Sequence, residues 1–292
     1  MKDKKLKMLI LLVVSAFLLT GCVEQKLENE PQEEKVVSVV STSVTICELL
    51  DLLEIENVVG VPTSETYTLP KRYEEVERIG PPMGPDMEAL AMLSPTYILS
   101  PQSLAGDLKE KYENVNLNGV FLDLSSTEKM YEGIVTLGGL LNQKEKALSL
   151  QIEYKNWYQA YQEENKGEGP KVLLLMGLPG SYVAATPNSY AGSLVEMAGG
   201  QNVYAEETSD FINVNPEDML LKDPDIILLT AHALPNQVEA MFKKEFTEND
   251  IWKNFRAVEE GKVVNLDYNK FGMSADLQYQ EALEELKVVL YE

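Results

Sequence analysis

Two residues of this chain carry metal-coordinating side chains and stand in unusual places in the sequence. His232 is the only histidine of the 292 residues, and it comes just after the short apolar stretch 225–230. Met83 lies in "IGPPMGPDME" (79–88), with prolines and glycines on both sides. Prolines and glycines interrupt helices and strands, so Met83 has no regular element through which to reach a core. An imidazole nitrogen and a thioether sulfur are both ligands of transition metals.

The two side chains define a more specific chemistry as a pair than they do singly. A thioether and an imidazole form the Met/His pair of axial ligands to the iron of some haem proteins. Taken alone, Met83 is equally well explained as a local packing residue. For His232 alone, a structural histidine is the less favoured alternative. The pair predicts haem ligation on the expectation that both loops open onto one cleft, one from each side.

The elements that position these loops alternate between short apolar strands and helices. This alternation is typical of βαβ units and predicts an α/β fold with largely parallel sheets. Along the chain, strands are predicted at 36–40, 57–61, 96–100, 119–124, 171–177, 182–185, 225–230 and 262–266. Ligands of open α/β sheets bind beyond the carboxyl ends of the strands, and His232 follows such an end.

The two halves of the chain repeat one plan. Segments 85–100 and 215–230 each have an acidic residue near a helix start, a short helix, a proline and an apolar strand. Between them, residues 139–166 are helical in pattern and free of proline, and at about 1.5 Å per residue they predict a helix of roughly 40 Å. We therefore predict two similar lobes, 36–138 and 167–292, joined by one long rigid helix that limits hinge motion.

The N-terminal residues are typical of an exported lipoprotein. Residues 1–21 have a basic start and an apolar stretch that ends in "LLTGC", which predicts a signal peptide cleaved before a lipidated Cys22. A transmembrane anchor is the alternative, but the apolar stretch is short for a span. Residues 22–35 are polar and acidic, so they predict a flexible tether. Cys47, the only other cysteine, has no disulfide partner and is predicted to be a small buried hydrophobe.

Composition and motifs exclude several classes of function. The formal net charge of −22 opposes binding to nucleic acid or to an anionic lipid surface. The sequence has no nucleophile elbow, no Walker loop and no "HExxH" motif. His232 has no partnered nucleophile that would make it a catalytic base. A zinc or manganese receptor needs several histidines and carboxylates. We therefore expect a binding protein and not an enzyme.

Residues 228–286, together with "GPPMGPDME", resemble the IsdE-type haem-receptor lipoproteins of Gram-positive iron-regulated surface determinant systems. The resemblance covers nearly the whole mature chain and implies that Met83 and His232 are the axial ligands of haem iron. The chain is similar, more loosely, to siderophore- and cobalamin-binding proteins with a rigid interlobe helix, and "AGSLVEMAGGQNVY" (191–204) is typical of that class. The implied fold is of the class III periplasmic-binding-protein type. A ferric-siderophore or cobalamin receptor remains the alternative.

The resemblance also implies a haem pocket. In "YNKFGMSADL" (268–277), Phe271 and Met273 are expected to wall the porphyrin, although ordinary core packing is the alternative. Met273 is a rival axial ligand, but Met83 supplies a ligand from the opposite lobe, as the family does. Tyr67 is expected at the cleft rim. For the haem propionates, the start of the helix after the first strand offers free N–H groups, contributed by Thr42, Ser43 and Val44.

Partners follow from the same resemblance. In the wider class one glutamate per lobe pairs with arginine on the transporter permease, and by position these are Glu88 and Glu217. A solvated glutamate near a helix start is the alternative for each. The implied protein is a monomer anchored by lipid on the extracellular face of the cell membrane. It would take haem from an upstream cell-surface haem-transfer protein and deliver it to an ABC permease and its ATPase.

Overall fold

The computed structural model describes residues 36–64, 67–164 and 168–292, and Val37–Glu292 form one compact unit. The predicted signal peptide (1–21), the predicted lipidation site Cys22 and the predicted tether (22–35) lie outside the described residues. Among the helices in the described part of the chain, none combines the length and the apolar character that crossing a bilayer requires.

The first lobe is built on a four-stranded, fully parallel sheet with strand order β2-β1-β3-β4. Its strands are β1 (Val39–Ser41), β2 (Val58–Gly60), β3 (Tyr97–Pro101) and β4 (Gly119–Leu122). Its helices are α1 (Val44–Leu52), α2 (Met87–Leu93) and α3 (Ala105–Asn114). Successive strand side chains point to opposite faces, so Val39 joins one hydrophobic core and Val40 joins another. Burial on both faces explains why these strands are mostly apolar.

Two helices, α4 (Thr127–Leu140) and α5 (Lys144–Glu164), connect the lobes. The predicted helix over 139–166 is therefore wrong at its start, because residues 139–140 belong to α4 and α5 has 21 residues, about 30 Å. Asn142 takes a left-handed conformation with φ 58°, and the N–H of Gln143 donates to the carbonyl of Gly138. A Cβ on Gly138 would lie 2.4 Å from Cβ of Ala147, so glycine permits the close packing of α4 on α5.

Aromatic side chains hold α5 in place. Tyr131 of α4 stacks on Tyr154 of α5 with ring centroids 4.4 Å apart. Tyr279, at the start of the C-terminal helix, meets both rings edge-on, and its hydroxyl lies 3.2 Å from that of Tyr131. Trp157 also contacts Tyr279 edge-on. The connecting helices are thus fixed to the last helix of the chain.

The second lobe is built on a six-stranded mixed sheet with the order β10-β9-β5-β6-β8, and β7 pairs with β5. Its strands are β5 (Lys171–Leu178), β6 (Ser181–Ala185), β7 (Gln201–Asn202), β8 (Phe211–Ile212), β9 (Ile226–Ala231) and β10 (Val263–Asn265). Its helices are α6 (Tyr190–Met197), α7 (Pro216–Lys222), α8 (Pro235–Glu248), α9 (Arg256–Glu259) and α10 (Tyr279–Tyr291). The β5–β6 and β6–β8 pairs are antiparallel and the other pairs are parallel, which confirms a largely parallel α/β fold.

The repeated plan of the two halves is a structural repeat. Helices α2 and α7 each have seven residues, and each is capped by the side chain of the preceding residue, Asp86 or Asn215. Each helix ends at a residue in the left-handed conformation, Ser94 with φ 43° or Asp223 with φ 48°. A proline and a parallel strand follow in both cases. Equivalent helices therefore occupy equivalent places in the two lobes.

Candidate functional site

His232 lies at the carboxyl end of β9, as predicted. Its backbone N–H donates to the carbonyl of Gly177 at 3.0 Å, which fixes it at the end of the paired strands β5 and β9. Its side chain is exposed, yet partial desolvation lowers the pKa of His232 below its usual 6.5. At neutral pH the imidazole is therefore uncharged and keeps a nitrogen lone pair with which it can bind a metal.

Met83 stands at the tip of a closed turn. Gly80, with φ 86°, begins the turn, and its carbonyl accepts a hydrogen bond from the N–H of Thr63 beyond β2. The turn is closed by hydrogen bonds from Gly84 to Pro81 and from Asp86 to Ile79, the second at 2.7 Å. The Met83 side chain is 67 % exposed. A thioether is therefore held in solvent on a stiff support.

In the loop after β10, one of the two residues predicted to line the haem pocket is buried in the core. Phe271 has no accessible surface and belongs to the main hydrophobic core, so its ring cannot line a pocket in this conformation. Its carbonyl accepts a 2.8 Å hydrogen bond from the buried hydroxyl of Thr230, which fixes the loop against β9. Met273 is half-buried, and it keeps accessible surface with which it could contact a ligand.

Tyr67, which belongs to the first lobe, lies beside the loop that follows β10 in the second lobe. Its hydroxyl lies 3.7 Å from the position that a Cβ on Gly272 would occupy. Its backbone N–H donates to the hydroxyl of Ser64, and its side chain is 40 % exposed. Burial raises the pKa of Tyr67, and the nearby Asp276 carboxylate adds to this effect. Two segments predicted to line the cleft therefore meet across the lobes.

At the start of α1, the structure corrects the predicted contact of Thr42. Thr42 has no accessible surface, and its hydroxyl donates to that of Ser100, which also bonds with the hydroxyl of Tyr112. Thr42 therefore fixes the turn and does not offer its side chain to a ligand. Ser43 and Val44 keep a small accessible area, 9 % and 8 %.

At the start of α1, neither a capping side chain nor an acidic residue balances the partial positive charge of the helix N-terminus. The Ser43 side chain makes no capping hydrogen bond, and the first turn of α1 has no acidic residue. In contrast, the N-cap side chains of α2, α4, α6 and α7 each accept a hydrogen bond from an N–H group of the first turn. The backbone N–H of Thr42 donates to the carbonyl of Leu99, and that of Ser43 donates to the hydroxyl of Ser41, so these two groups are not free for a ligand. The first-turn N–H groups from Val44 onward receive no capping bond from Ser43 and could bind an anion.

Two carboxyl groups near Tyr67 were missed by sequence reasoning. Burial raises the pKa of Glu48, in α1, to about 7, and the negative charge of Asp276 contributes. Burial raises the pKa of Asp276 to about 6, although its carboxylate accepts a 2.7 Å hydrogen bond from the N–H of Gln278. Glu48 follows Val44 by one helical turn in the apolar segment "VTICELLDLL", which was an available signal. Asp276 has no comparable signal in the sequence.

Glu88 and Glu217 occupy the same position, the second residue, in α2 and α7. Both side chains are exposed, and neither forms an ion pair within the part of the chain that the structure describes. Both carboxylates are therefore available to a cation outside the chain.

Two α/β lobes with chemically distinctive loops at the carboxyl ends of their parallel strands define a solute-binding protein. The family model described as "Periplasmic binding protein" matches residues 39–269, and the chain belongs to this family.

Within this family, the chain is similar over nearly its whole length to individual solute-binding proteins. The chain is 39 % identical over 290 residues to the "High-affinity heme uptake system protein IsdE" of Staphylococcus aureus (strain Newman), covering 98 % of each chain. The crystal structure of S. aureus IsdE complexed with heme matches with a TM-score of 0.82 at 39 % identity, over 88 % of this chain and 99 % of that one. An ABC transporter substrate-binding protein from Listeria monocytogenes EGD-e matches with a TM-score of 0.82 at 41 % identity, with the same coverage.

Proposed function

We propose that this chain is the haem-binding receptor of an ABC importer. The observation that carries the proposal is the exposed Met83 thioether on a stiff turn of one lobe, together with an exposed neutral His232 at a strand end of the other. Near-full-length similarity to a heme uptake protein, and to its structure solved with heme, supports the same cargo. The proposed protein is a binding protein and not an enzyme.

Met83 and His232 would bind the iron from opposite sides of the porphyrin. The depressed pKa of His232 serves this role, because only the neutral ring can donate a lone pair to iron. A Met/His pair favours the ferrous state relative to a pair of histidines. The axial bonds set orientation and selectivity, while burial of the apolar faces of the porphyrin contributes most of the affinity. Met273, Tyr67 and Val44 would supply part of that apolar surface.

The propionates would lie at the start of α1, beside Ser43. The N–H groups of the first turn have no side-chain acceptor there, and a helix N-terminus favours carboxylates. Glu48 lies one turn further along the helix and would otherwise repel them. Because its pKa is about 7, Glu48 is largely protonated at slightly acidic pH and only partly charged at neutrality. Thr42 and Phe271 would act by positioning this helix start and the loop before Met273.

Transport would use the outer surfaces of both lobes. We propose that Glu88 and Glu217 pair with basic residues of the permease, which with its ATPase moves the released haem inward. A lipid on Cys22 would anchor the monomer at the extracellular face of the membrane, where a cell-surface haem-transfer protein would load it. The partition into lobes at 36–138 and 167–292 remains part of this proposal, with the connection now formed by α4 and α5.

Reconstitution with haemin tests the proposal. The protein from Val36 onward contains the compact unit Val37–Glu292 and is the sample for the titration. Haemin is added stepwise, and binding is followed by the Soret absorption in both redox states. We expect one equivalent to bind, and His232→Ala and Met83→Ala each to shift the spectrum. Met92→Ala is the matched control, because Met92 is also highly exposed, at 85 %, but lies on α2. Failure to bind haemin, with binding of cyanocobalamin or a ferric siderophore instead, would refute the proposal.

A further inference from the structure

Two large apolar side chains stand out from the surface at equivalent places in the two lobes. Met92 on α2 and Leu221 on α7 are each 85 % exposed, more than any other exposed large hydrophobic residue in the described ranges. Each is the sixth residue of its seven-residue helix. Single exposed apolar residues are common, but here the structural repeat presents the same one twice.

Each apolar side chain shares a helix face with an exposed glutamate. Met92 follows Glu88 by four residues, and Leu221 follows Glu217 by four, so each pair lies side by side on its helix. The buried residue of each helix, Leu90 or Met219, lies midway between the pair. At about 100° per residue, it points away from both members. Each lobe therefore turns an acid and an apolar group outward together.

We propose that Met92 and Leu221 are the apolar contacts of a docking surface for the paired membrane subunits of the importer. Each would enter an apolar pocket beside a basic side chain that binds Glu88 or Glu217. This inference rests on the proposed function and deepens it, because it adds a hydrophobic component to a surface so far described by its charges alone.

The negative charge of the two helices and the occurrence of the same pair in each lobe favour the membrane subunits as the partner. The two helices begin with Asp86 and Glu88 in one lobe and with Glu217 and Asp218 in the other, so a cationic partner surface is complementary. A second copy of this chain would bring the same acids together, and an anionic lipid surface would repel them. The acid and apolar pair occurs once in each lobe, which fits a partner that presents one pocket twice through a two-fold axis.

Docking of the full-length protein to its cognate permease–ATPase complex in nanodiscs tests the inference. Met92→Ser, Leu221→Ser and the double variant are compared with Ile152→Ser and Val288→Ser, matched controls at residues 57 % and 52 % exposed on α5 and α10. We expect the double variant to lose at least tenfold in affinity and the controls to stay within twofold of the wild type. The salt dependence should fall in Glu88→Gln but not in Met92→Ser, because only the first removes a charge contact.

Three results would overturn the inference. The first is a double variant that docks within twofold of the wild type. The second is binding of the wild type to permease-free nanodiscs that the double variant loses, which would assign the residues to the lipid surface. The third is self-association of the wild type that the double variant loses in sedimentation, which would assign them to a second copy. A haemin titration of the same samples is scored separately, so that failure of the cargo proposal is distinguished from failure of docking.

Discussion

Glu48 offers a quantitative test of the electrostatics near the cleft. In the folded protein, burial and the Asp276 charge raise the pKa of Glu48 from 4.5 to about 7. At about 1.4 kcal/mol per pKa unit, the ionised side chain disfavours folding by about 3 kcal/mol. Glu48 keeps some contact with solvent, which screens its charge, so we expect about 2 kcal/mol in a measurement.

The sign of the pH dependence follows from proton binding. Because the folded state holds the Glu48 proton more tightly than the unfolded state, the contribution of Glu48 to stability is greatest below pH 4.5 and is lost as the pH rises through about 7. Glu48→Gln removes this titration. The variant should therefore gain about 2 kcal/mol relative to the wild type between pH 4.5 and pH 8.

Urea unfolding of the ligand-free body, measured between these pH values, tests this expectation. Glu56→Gln is the control, because Glu56 is an exposed glutamate in the loop that follows the same helix. The pH-dependent gain in stability of Glu48→Gln should exceed that of this control. A Glu48→Gln difference that does not grow with pH would refute the reasoning, because it would show that Glu48 titrates alike in the folded and unfolded chains.

Further predictions concern packing and hydrogen bonding. Gly138→Ala should destabilise the fold by about 1–3 kcal/mol in urea unfolding, because the new Cβ would overlap that of Ala147; Gly139→Ala, with open space around it in the same helix, should be neutral or slightly stabilising. Thr42→Val should cost about 1–3 kcal/mol in the same assay, because the buried Ser100 hydroxyl loses a donor. A Gly138→Ala variant as stable as Gly139→Ala, or a neutral Thr42→Val, would contradict the packing described for α4 or the hydroxyl chain.

The sequence predicted those parts of the fold that depend on local pattern. Eight strands, the repeat of α2 and α7, the loop around Met83 and the place of His232 after β9 were all predicted from residue type and spacing, whereas the two-residue strands β7 and β8 were not. These features follow from periodicity, capping residues and prolines, which act over a few residues.

The failures involve contacts between distant segments. The helical pattern of the connecting segment includes the apolar positions Leu148 and Ile152, yet these residues are 37 % and 57 % exposed in the structure. The buried residues of α5 include Tyr154 and Tyr161 instead. The break between α4 and α5 contains neither glycine nor proline, the residues that most often signal such a break. The residue that takes the left-handed conformation there is Asn142. Phe271 is buried because its loop folds back against the core. Such outcomes depend on packing partners that are remote in sequence.

Iron-edge X-ray absorption of the haem-loaded body tests the central claim most directly. If Met83 and His232 both bind the iron, the wild-type spectrum will contain one sulfur scatterer in addition to the nitrogens of the porphyrin and one imidazole. The sulfur should vanish in Met83→Ala and persist in Met273→Ala, while His232→Ala should lose the imidazole. A wild-type spectrum without sulfur, or a sulfur that survives Met83→Ala and is lost in Met273→Ala, would contradict the account.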